Sequence, residues 1–278
     1  MENIKENSGI LKFLYNTVPG RMVLKLITCP TISKIGGAYM DSRISKIHIK
    51  GFIKNNGIDM SQYEKVEYKC FNECFTRKIL AEKRPVDMEE NALISPCDGR
   101  LSAYRISENS DFYIKQSYYS VKDLVKDSKK APDYNGGTCL VFRLCVDDYH
   151  RYGNIDNGTI IENKYIKGKL HTVRPIALNR YPVFVHNSRE YSIIETENFG
   201  TIAQIEVGAL MIGKIKNHQT SGLIKKGEEK GMFLYGGSTI VVLLEKDAAE
   251  ISEEYFENTA KDIETKVKYG SKIGKKSN

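Results

Sequence analysis

The chain has 278 residues, 41% of them hydrophobic, and carries a formal net charge of +7. This length and apolar content predict a folded protein of one large or two ordinary domains and exclude an intrinsically disordered chain. Acidic and basic residues are interspersed, which is compatible with an anionic partner such as a phospholipid surface. No arginine-rich cluster is present, which argues against a nucleic-acid partner.

The N-terminal region, residues 1 to about 60, places apolar residues at helical spacing, as in Leu11, Leu14 and Val18. Two readings stay open: a helical cap that packs on the protein's own core, or an interfacial amphipathic region. In the second reading, basic residues lie near lipid head groups: Arg21, Lys25, Lys34 and Lys46. No apolar run is as long as a membrane span, so a region that meets a membrane would lie on it.

The rest of the chain predicts a helix followed mainly by strands. The helix is expected over Val66 to Leu80. The predicted strands are 92–94, 101–106, 138–146, 183–185, 191–196, 201–207, 209–215 and 240–244. The tail after Leu244 has helical propensity, and its lysine- and glycine-containing end is expected to be loose. The predicted fold class is α+β: a helical region, residues 1–65, followed by a largely antiparallel β domain, residues 66–278.

The six cysteines predict neither a disulfide framework nor a metal site. They include no Cys-x-x-Cys pair, and Cys70 and Cys74 lack an obvious set of His or Cys partners for zinc. We therefore expect reduced thiols that mostly serve packing.

Two local features are candidates for chemistry. His150 ends a hydrophobic strand beside Asp147 and Asp148, where an imidazole can become a base near neutral pH, although a lone His beside an Asp is more often structural. The glycines and serine at 236–238 interrupt an apolar strand, and taken alone they indicate a bulge or tight turn.

Four motifs change that interpretation because they occur in a fixed order. They are Ser-Pro-x-Asp-Gly at 95–99, Phe-Arg-Leu-x-x-x-Asp-Tyr-His-Arg at 142–151, Val-Gly-Ala-x-x-x-Gly-x-Ile at 207–215 and Gly-Gly-Ser-Thr at 236–239. With the stretches at 114–118 and 187–190, this order strongly resembles the phosphatidylserine decarboxylases. These are pyruvoyl-dependent enzymes that form phosphatidylethanolamine and CO2. The resemblance covers roughly Val66 to Glu245.

The resemblance implies a zymogen that cuts itself between Gly237 and Ser238. The products would be a β chain, residues 1–237, and an α chain, residues 238–278. Ser238 would attack the Gly237 carbonyl, and the serine would end as a pyruvoyl group that forms a Schiff base with the substrate amine. By matching position, His150 would be the base and Asp98 the carboxylate that orients it.

The same resemblance implies the cofactor, partners and location. The cofactor would be the pyruvoyl group from Ser238, with no metal and no pyridoxal phosphate. The partners would be phosphatidylserine, an anionic membrane surface and the two chains of one precursor; a homodimer is compatible with this, and nucleic acid is not expected. The protein would be peripheral, on the cytoplasmic side of the cell membrane. Candidate substrate-binding residues are Lys115, Arg151, His171 and Arg174.

The chain departs from the family pattern at Gly153. Many relatives have a second histidine at this position, three residues after the first, so either His150 alone must suffice or His171 must help. Two other hypotheses remain: a pyruvoyl decarboxylase that acts on a soluble amino acid, and a non-catalytic lipid-binding protein that never matures.

Overall fold

The computed structural model describes residues 9–28, 30–109, 111–114, 117–209, 214–235 and 238–277. It confirms the α+β class, with helices at the N-terminus followed by mostly antiparallel strands. The helices are α1 (Gly9–Asn16), α2 (Val18–Ile27), α3 (Pro30–Met40), α4 (Ile49–Asn56), α5 (Phe71–Phe75), α6 (Val121–Leu124), α7 (Pro175–Leu178), α8 (Val183–His186) and α9 (Glu253–Ala260).

Most of the predicted strands are present, but of the predicted strand 209–215, residues 210–213 lie outside the described residues. The strands are β1 (Ala92–Ile94), β2 (Gly99–Arg105), β3 (Asp111–Ile114), β4 (Ser117–Ser120), β5 (Thr138–Leu144), β6 (Arg151–Gly153), β7 (Gly158–Ile166), β8 (Arg189–Thr196), β9 (Thr201–Gly208), β10 (Ile215–Asn217), β11 (Gly222–Ile224), β12 (Glu229–Phe233), β13 (Ser238–Leu244), β14 (Ala249–Ile251), β15 (Thr265–Val267) and β16 (Lys272–Lys276).

An eight-stranded antiparallel sheet forms the centre of the fold, in the order β11-β7-β8-β9-β13-β5-β2-β15. Strand β13 pairs with β9 on one side and β5 on the other, and all seven of its residues are buried. Alternate residues of β13, such as Val241 and Ile240, enter separate apolar cores on the two faces of the sheet. Burial on both faces explains why this strand is a continuous apolar run rather than an alternating one.

Smaller sheets and the first helices cover the central sheet. Strands β10, β12 and β6 form one three-stranded sheet, and β1, β16 and β14 form another. The first two helices pack on one core through Leu14, Tyr15 and Leu24. Thr17 caps the start of α2, since its Oγ1 accepts a hydrogen bond of 3.0 Å from the Gly20 amide.

Most apolar side chains of this helical region are exposed instead. The exposed set is Ile10, Phe13, Val18, Met22, Val23, Leu26, Ile32, Ile35, Tyr39, Ile44 and Ile47. Among the described residues, no helix has both the length and the apolar character needed to span a membrane.

Three predictions about individual elements were wrong. The helix over 66–80 is limited to α5, because Glu64 pairs with Lys78 through the backbone and draws the following residues into an extended course. Residues 183–185 belong to helix α8, since the amides of His186 and Asn187 bond back to Pro182 and Val183. The end of the tail is not loose: β16 pairs with both β1 and β14.

A fully buried ion pair joins the central sheet to the small sheet that covers it. Lys230 Nζ on β12 lies 2.9 and 3.0 Å from the two carboxylate oxygens of Glu206 on β9, and both side chains are 0% exposed. Asn217 and Gln204 also donate to this carboxylate. Burial raises the pKa of Glu206, and the Lys230 charge opposes that effect.

We predict that Lys230→Met lowers the free energy of unfolding by about 3–5 kcal/mol, because it leaves a buried carboxylate without its cation. Urea denaturation of the Ser238→Ala chain, chosen to keep a single polypeptide, measures this. The control is Lys46→Met, which removes an exposed ion pair with Glu67 and should change the free energy of unfolding far less, because solvent screens that pair. Equal losses in the two variants would contradict the prediction.

Candidate active site

Ser238 is the first residue of the central strand β13 and lies between two neighbouring strands. It pairs with Leu144 of β5 and with Gly208 of β9. The side chain is 0% exposed, and its Oγ is a buried polar atom without a hydrogen-bond partner in the described part of the chain. Such atoms are rare in folded proteins and suggest a chemical role. Gly237, the predicted acyl side of the cleaved bond, lies outside the described residues.

His150 is brought beside the same segment by the small sheet. Its carbonyl accepts a hydrogen bond of 2.9 Å from the Phe233 amide at the end of β12, five residues before Ser238. The Phe75 ring packs 4.1 Å from the imidazole and 5.2 Å from the Tyr235 ring, centroid to centroid. Phe75 therefore lies between the histidine and the segment that leads into Ser238.

The imidazole of His150 is held in one tautomer. Its Nδ1 lies 2.9 Å from the Asp148 carbonyl oxygen, which can only accept, so Nδ1 carries the hydrogen. The lone pair is then on Nε2, a buried atom with no partner among the described residues. Burial, reinforced by the Arg77 charge, lowers the pKa of His150 to about 3. The ring is therefore neutral at physiological pH, with a free basic nitrogen.

The expected contact between Asp98 and His150 is not present, and this prediction needs correction. The Asp98 carboxylate accepts from Arg84 with both oxygens, Oδ1 from Nε at 2.8 Å and Oδ2 from Nη2 at 2.5 Å, and Oδ1 also accepts from the Tyr269 amide at 2.8 Å. The planar guanidinium matches a carboxylate in this two-donor geometry, so Arg84 is the charged partner of Asp98. The Asp148 backbone carbonyl orients His150 in its place.

Asp98 nevertheless lies near the loop that carries His150. It lines a cavity of about 240 Å³ together with Arg84, Asp147, Asp148 and Lys266, among other residues. Burial raises the pKa of Asp148 to about 6, and the nearby Asp147 and Asp98 charges add to the rise. The site is thus a charged cavity beside a buried imidazole.

The predicted substrate-binding residues are not all close to Ser238. Arg174 is near enough to Tyr235 that its charge lowers the pKa of that phenol, against the larger opposing effect of burial. Arg151 is held by the Thr76 carbonyl and by Glu229. His171 is buried, with Nδ1 3.3 Å from the Tyr15 hydroxyl, and burial lowers its pKa to about 4. Lys115 lies outside the described residues.

At Gly153, where many relatives have a second histidine, neighbouring atoms occupy the space that a side chain would need. A Cβ added at Gly153 would lie 2.3 Å from the Tyr269 hydroxyl oxygen and 2.7 Å from the Glu228 carbonyl oxygen. The Tyr269 hydroxyl in turn donates to the Gly227 carbonyl at 2.8 Å. A side chain at 153 therefore does not fit this packing. The alternative helper, His171, is engaged with Tyr15 and stacks on Tyr181.

Sequence reasoning missed three buried side chains that shape the site: Arg77, Arg84 and Asn187. The Asn187 amide donates to the His171 carbonyl at 2.8 Å and to the Gly208 carbonyl at 2.7 Å, which ties a loop to the residue opposite Ser238. The motif at 187–190 marked this asparagine without indicating its partners. Arg77 and Arg84 follow a helix in a basic stretch that resembled an ordinary surface.

A metal site is not found in the part of the chain that the structure describes: no group of three or more His, Cys, Asp or Glu residues could hold a metal ion there. Five cysteines in that part are free thiols, four of them buried: Cys70, Cys74, Cys97, Cys139 and Cys145. The sixth, Cys29, lies outside the described residues.

Comparison of the sequence with known proteins identifies the family of this chain. The family model for phosphatidylserine decarboxylase matches residues 71–275. The phosphatidylserine decarboxylase proenzyme 2 of Clostridium acetobutylicum is 50% identical over 268 residues, which cover 96% of this chain and 92% of that protein. A proenzyme of Clostridium perfringens is 44% identical over 282 residues, 99% of this chain and 96% of the relative. The chain belongs to the phosphatidylserine decarboxylase family.

Proposed function

We propose that this protein is a phosphatidylserine decarboxylase proenzyme that cuts itself between Gly237 and Ser238 and then converts phosphatidylserine to phosphatidylethanolamine and CO2. One observation carries the proposal beyond family membership. Ser238 Oγ and His150 Nε2, the predicted nucleophile and the predicted base, are both buried and both lack a hydrogen-bond partner among the described residues. Neither atom is committed to a described partner, and the two are not hydrogen-bonded to each other, so they must approach before a proton can pass between them.

Self-cleavage needs a nucleophile, a base and a backbone that lets the serine reach the preceding carbonyl. His150 Nε2 takes the proton from the Ser238 hydroxyl, and Oγ forms a bond to the Gly237 carbonyl carbon. The Gly237–Ser238 peptide bond then breaks, and nitrogen takes a proton to leave an ester. Loss of the Ser238 Cα proton and of the Gly237 carboxylate gives dehydroalanine, and addition of water with loss of ammonia gives the pyruvoyl group. No external oxidant or reductant is needed.

The pyruvoyl group supplies a carbonyl that condenses with the substrate amine and accepts electrons as CO2 leaves. This chain's residues provide the surroundings. Phe75 packs on the imidazole and Tyr235 packs on Phe75, and this aromatic layer excludes water and favours loss of a charged carboxylate. His150 is the buried group that can take up a proton and return it to the product. Arg174, near Tyr235, is suited to an anionic part of the substrate.

The two chains are expected to stay together after cleavage. Ser238 begins a strand whose seven residues are all buried; all seven pair with β5, and the first six also pair with β9, both strands of the other chain. Removal of Leu, Ile and Val side chains from water contributes about 1.5–3 kcal/mol each. Cutting one bond at the end of this strand removes none of these contacts.

The N-terminal helices suit a peripheral site on the cytoplasmic face of the cell membrane. Their exposed apolar side chains form a large unpartnered surface, which marks an interaction site in a soluble protein. Residues 9–56 contain eight basic residues and only one acidic residue, Asp41. Apolar side chains combined with positive charge favour an anionic phospholipid surface, where the substrate is also found.

We predict that purified protein gives two chains in denaturing mass spectrometry, divided after Gly237, with no free amino terminus on the smaller chain. Ser238→Ala should remain one uncut chain, because it lacks the nucleophile. A single chain for the unsubstituted protein after full expression would contradict the proposal.

His150→Ala should slow self-cleavage by about 100-fold or more, the usual effect of losing a general base. The time course of chain separation on a denaturing gel measures this. Asp98→Asn should slow cleavage less, because Asp98 acts through Arg84 and the neighbouring loop. Cleavage of His150→Ala at the normal rate would remove His150 from the role of base.

We predict that replacing Ile10, Met22 and Leu26 together with serine weakens flotation with phosphatidylserine-containing vesicles by at least about tenfold, because these side chains would enter the lipid layer. Release of CO2 from vesicles should fall as well, while self-cleavage should not change. The matched control is Leu223→Ser, which alters an exposed apolar side chain on the edge strand β11. Undiminished flotation of the triple variant would contradict the membrane assignment, and decarboxylation of free serine instead of vesicle lipid would favour a soluble substrate.

A further inference from the structure

Arg77 is a buried cation whose described partners are all neutral. The residue is 1% exposed, and its guanidinium donates to the Tyr63 hydroxyl and to the carbonyls of Phe75, Asp147 and Asp148, at 2.9–3.2 Å. It also lies 4.4 Å above the Tyr63 ring centroid. No acidic side chain forms an ion pair with it within the described ranges. A buried charge without a counter-ion is costly, so its retention calls for a reason.

The contacts of Arg77 converge on His150. The Asp148 carbonyl oxygen that accepts from Arg77 at 3.2 Å also accepts the His150 Nδ1 hydrogen at 2.9 Å. The Phe75 carbonyl accepts from the same guanidinium at 3.2 Å, and the Phe75 ring packs on the imidazole. One side chain therefore holds both the atom that sets the tautomer of His150 and the residue that covers its ring.

We propose that Arg77 is a positioning residue for His150, which it orients through the Asp148 carbonyl and faces with an uncompensated buried charge. This inference rests on the proposed role of His150 as the base. The Asp148 carbonyl oxygen accepts one hydrogen bond from Arg77 and one from His150 Nδ1, and the bond from Arg77 restricts where that oxygen can lie. Nδ1 therefore keeps its hydrogen on the Asp148 side, and the lone pair of Nε2 is directed away from Asp148. The positive charge also disfavours protonation of the ring, in the same direction as burial.

The other charged groups around His150 are paired, hydrogen-bonded or exposed. The Asp148 carboxylate accepts from the Cys145 amide at 2.7 Å, and with a pKa raised to about 6 it is still mostly ionised at pH 7, but Asp148 acts on the pKa of His150 through its backbone carbonyl. Arg151 is paired with Glu229, Asp98 is paired with Arg84, and the Asp147 side chain is exposed. Arg77 is thus the charge that acts on the imidazole without a compensating partner in the described part of the site.

The first test measures His150 itself, in the uncleavable Ser238→Ala chain with isotope-labelled histidine. NMR titration should show His150 neutral above about pH 4, with the proton on Nδ1. Arg77→Met should raise the pKa of His150 by about one pH unit or more, as expected when a nearby like charge is removed. Arg77→Lys keeps the charge but loses the forked donors, so the pKa should stay low while Nδ1 and Nε2 share the proton.

The control for this measurement is Arg189→Met. Arg189 is also buried, and its guanidinium also bonds to carbonyls, those of Asp123, Leu124, Val185 and Asn187. Its charge has no resolved effect on His150, so the titration of His150 should be unchanged. An equal shift in Arg77→Met and Arg189→Met would indicate general loosening of the core and overturn the inference.

The second test measures self-cleavage against pH in chains that retain Ser238. Arg77→Met should cleave at least about tenfold more slowly at pH 7. Because its His150 has a higher pKa, its rate should begin to fall at a higher pH on acidification than that of the unsubstituted chain. Circular dichroism shows whether Arg77→Met folds. If it does not, Arg77→Lys replaces it in both tests, which then measure the tautomer of His150 and the rate of self-cleavage.

The two tests separate failure of this inference from failure of the proposed function. An unchanged His150 titration and tautomer in both Arg77 variants overturns the positioning role, even where cleavage is slow. A shifted titration with normal cleavage overturns the positioning role for self-cleavage, while the role of His150 as base is decided separately by His150→Ala. Shifted titration together with slow cleavage supports both.

Discussion

The pairing of Ser238 between two strands is the constraint on which the rest of the site depends. A residue that begins a central strand has its backbone fixed by Gly208 on one side and Leu144 on the other. The segment before it, from Phe233 to Tyr235, is fixed separately by the His150 carbonyl and by Asn72, whose side-chain oxygen accepts from the Tyr235 amide at 3.1 Å. The described residues on either side of the predicted cut are therefore both anchored, one set by the loop that carries His150 and by Asn72, the other by strands β5 and β9.

Burial determines the chemistry available to the fixed groups. In a water-free setting, an imidazole stays neutral, and His150 does so with its free nitrogen on the side away from Asp148. The same setting makes every unpaired charge costly, and Arg84 and Arg143 have carboxylate partners in Asp98 and Glu264. Arg77 and Arg189 are instead held by neutral acceptors, mostly backbone carbonyls, and only Arg77 shares its acceptor with His150.

The sequence predicts the parts of this fold that depend on local pattern. The apolar runs at 138–146 and 240–244 predict buried strands, and the ordered motifs bring Asp98, His150 and Ser238 together as one set. The partner of Asp98 could not be predicted, because Arg84 is fourteen positions away on a 3-10 turn and looks like any exposed arginine. The role of the Asp148 backbone carbonyl as the acceptor for His150 could not be predicted either, because every residue has a carbonyl. The prediction of a strand at 183–185 was wrong, because a short run of β-branched residues does not exclude a single helical turn that its neighbours stabilise.

Hydrogen bonds connect the helical region to the residues around Ser238 at two points. Asp41, just after α3, accepts from the Asn72 amide at 2.8 Å, and Asn72 holds Tyr235. On the other side, the Tyr15 hydroxyl of α1 accepts from the Thr172 amide, and the adjoining His171 is tied through Asn187 to Gly208. One connection reaches the segment before Ser238, and the other reaches the strand opposite it. Because both are made of directional hydrogen bonds, buried in the second connection and part-buried in the first, the position of the helices is coupled to the residues on both sides of Ser238.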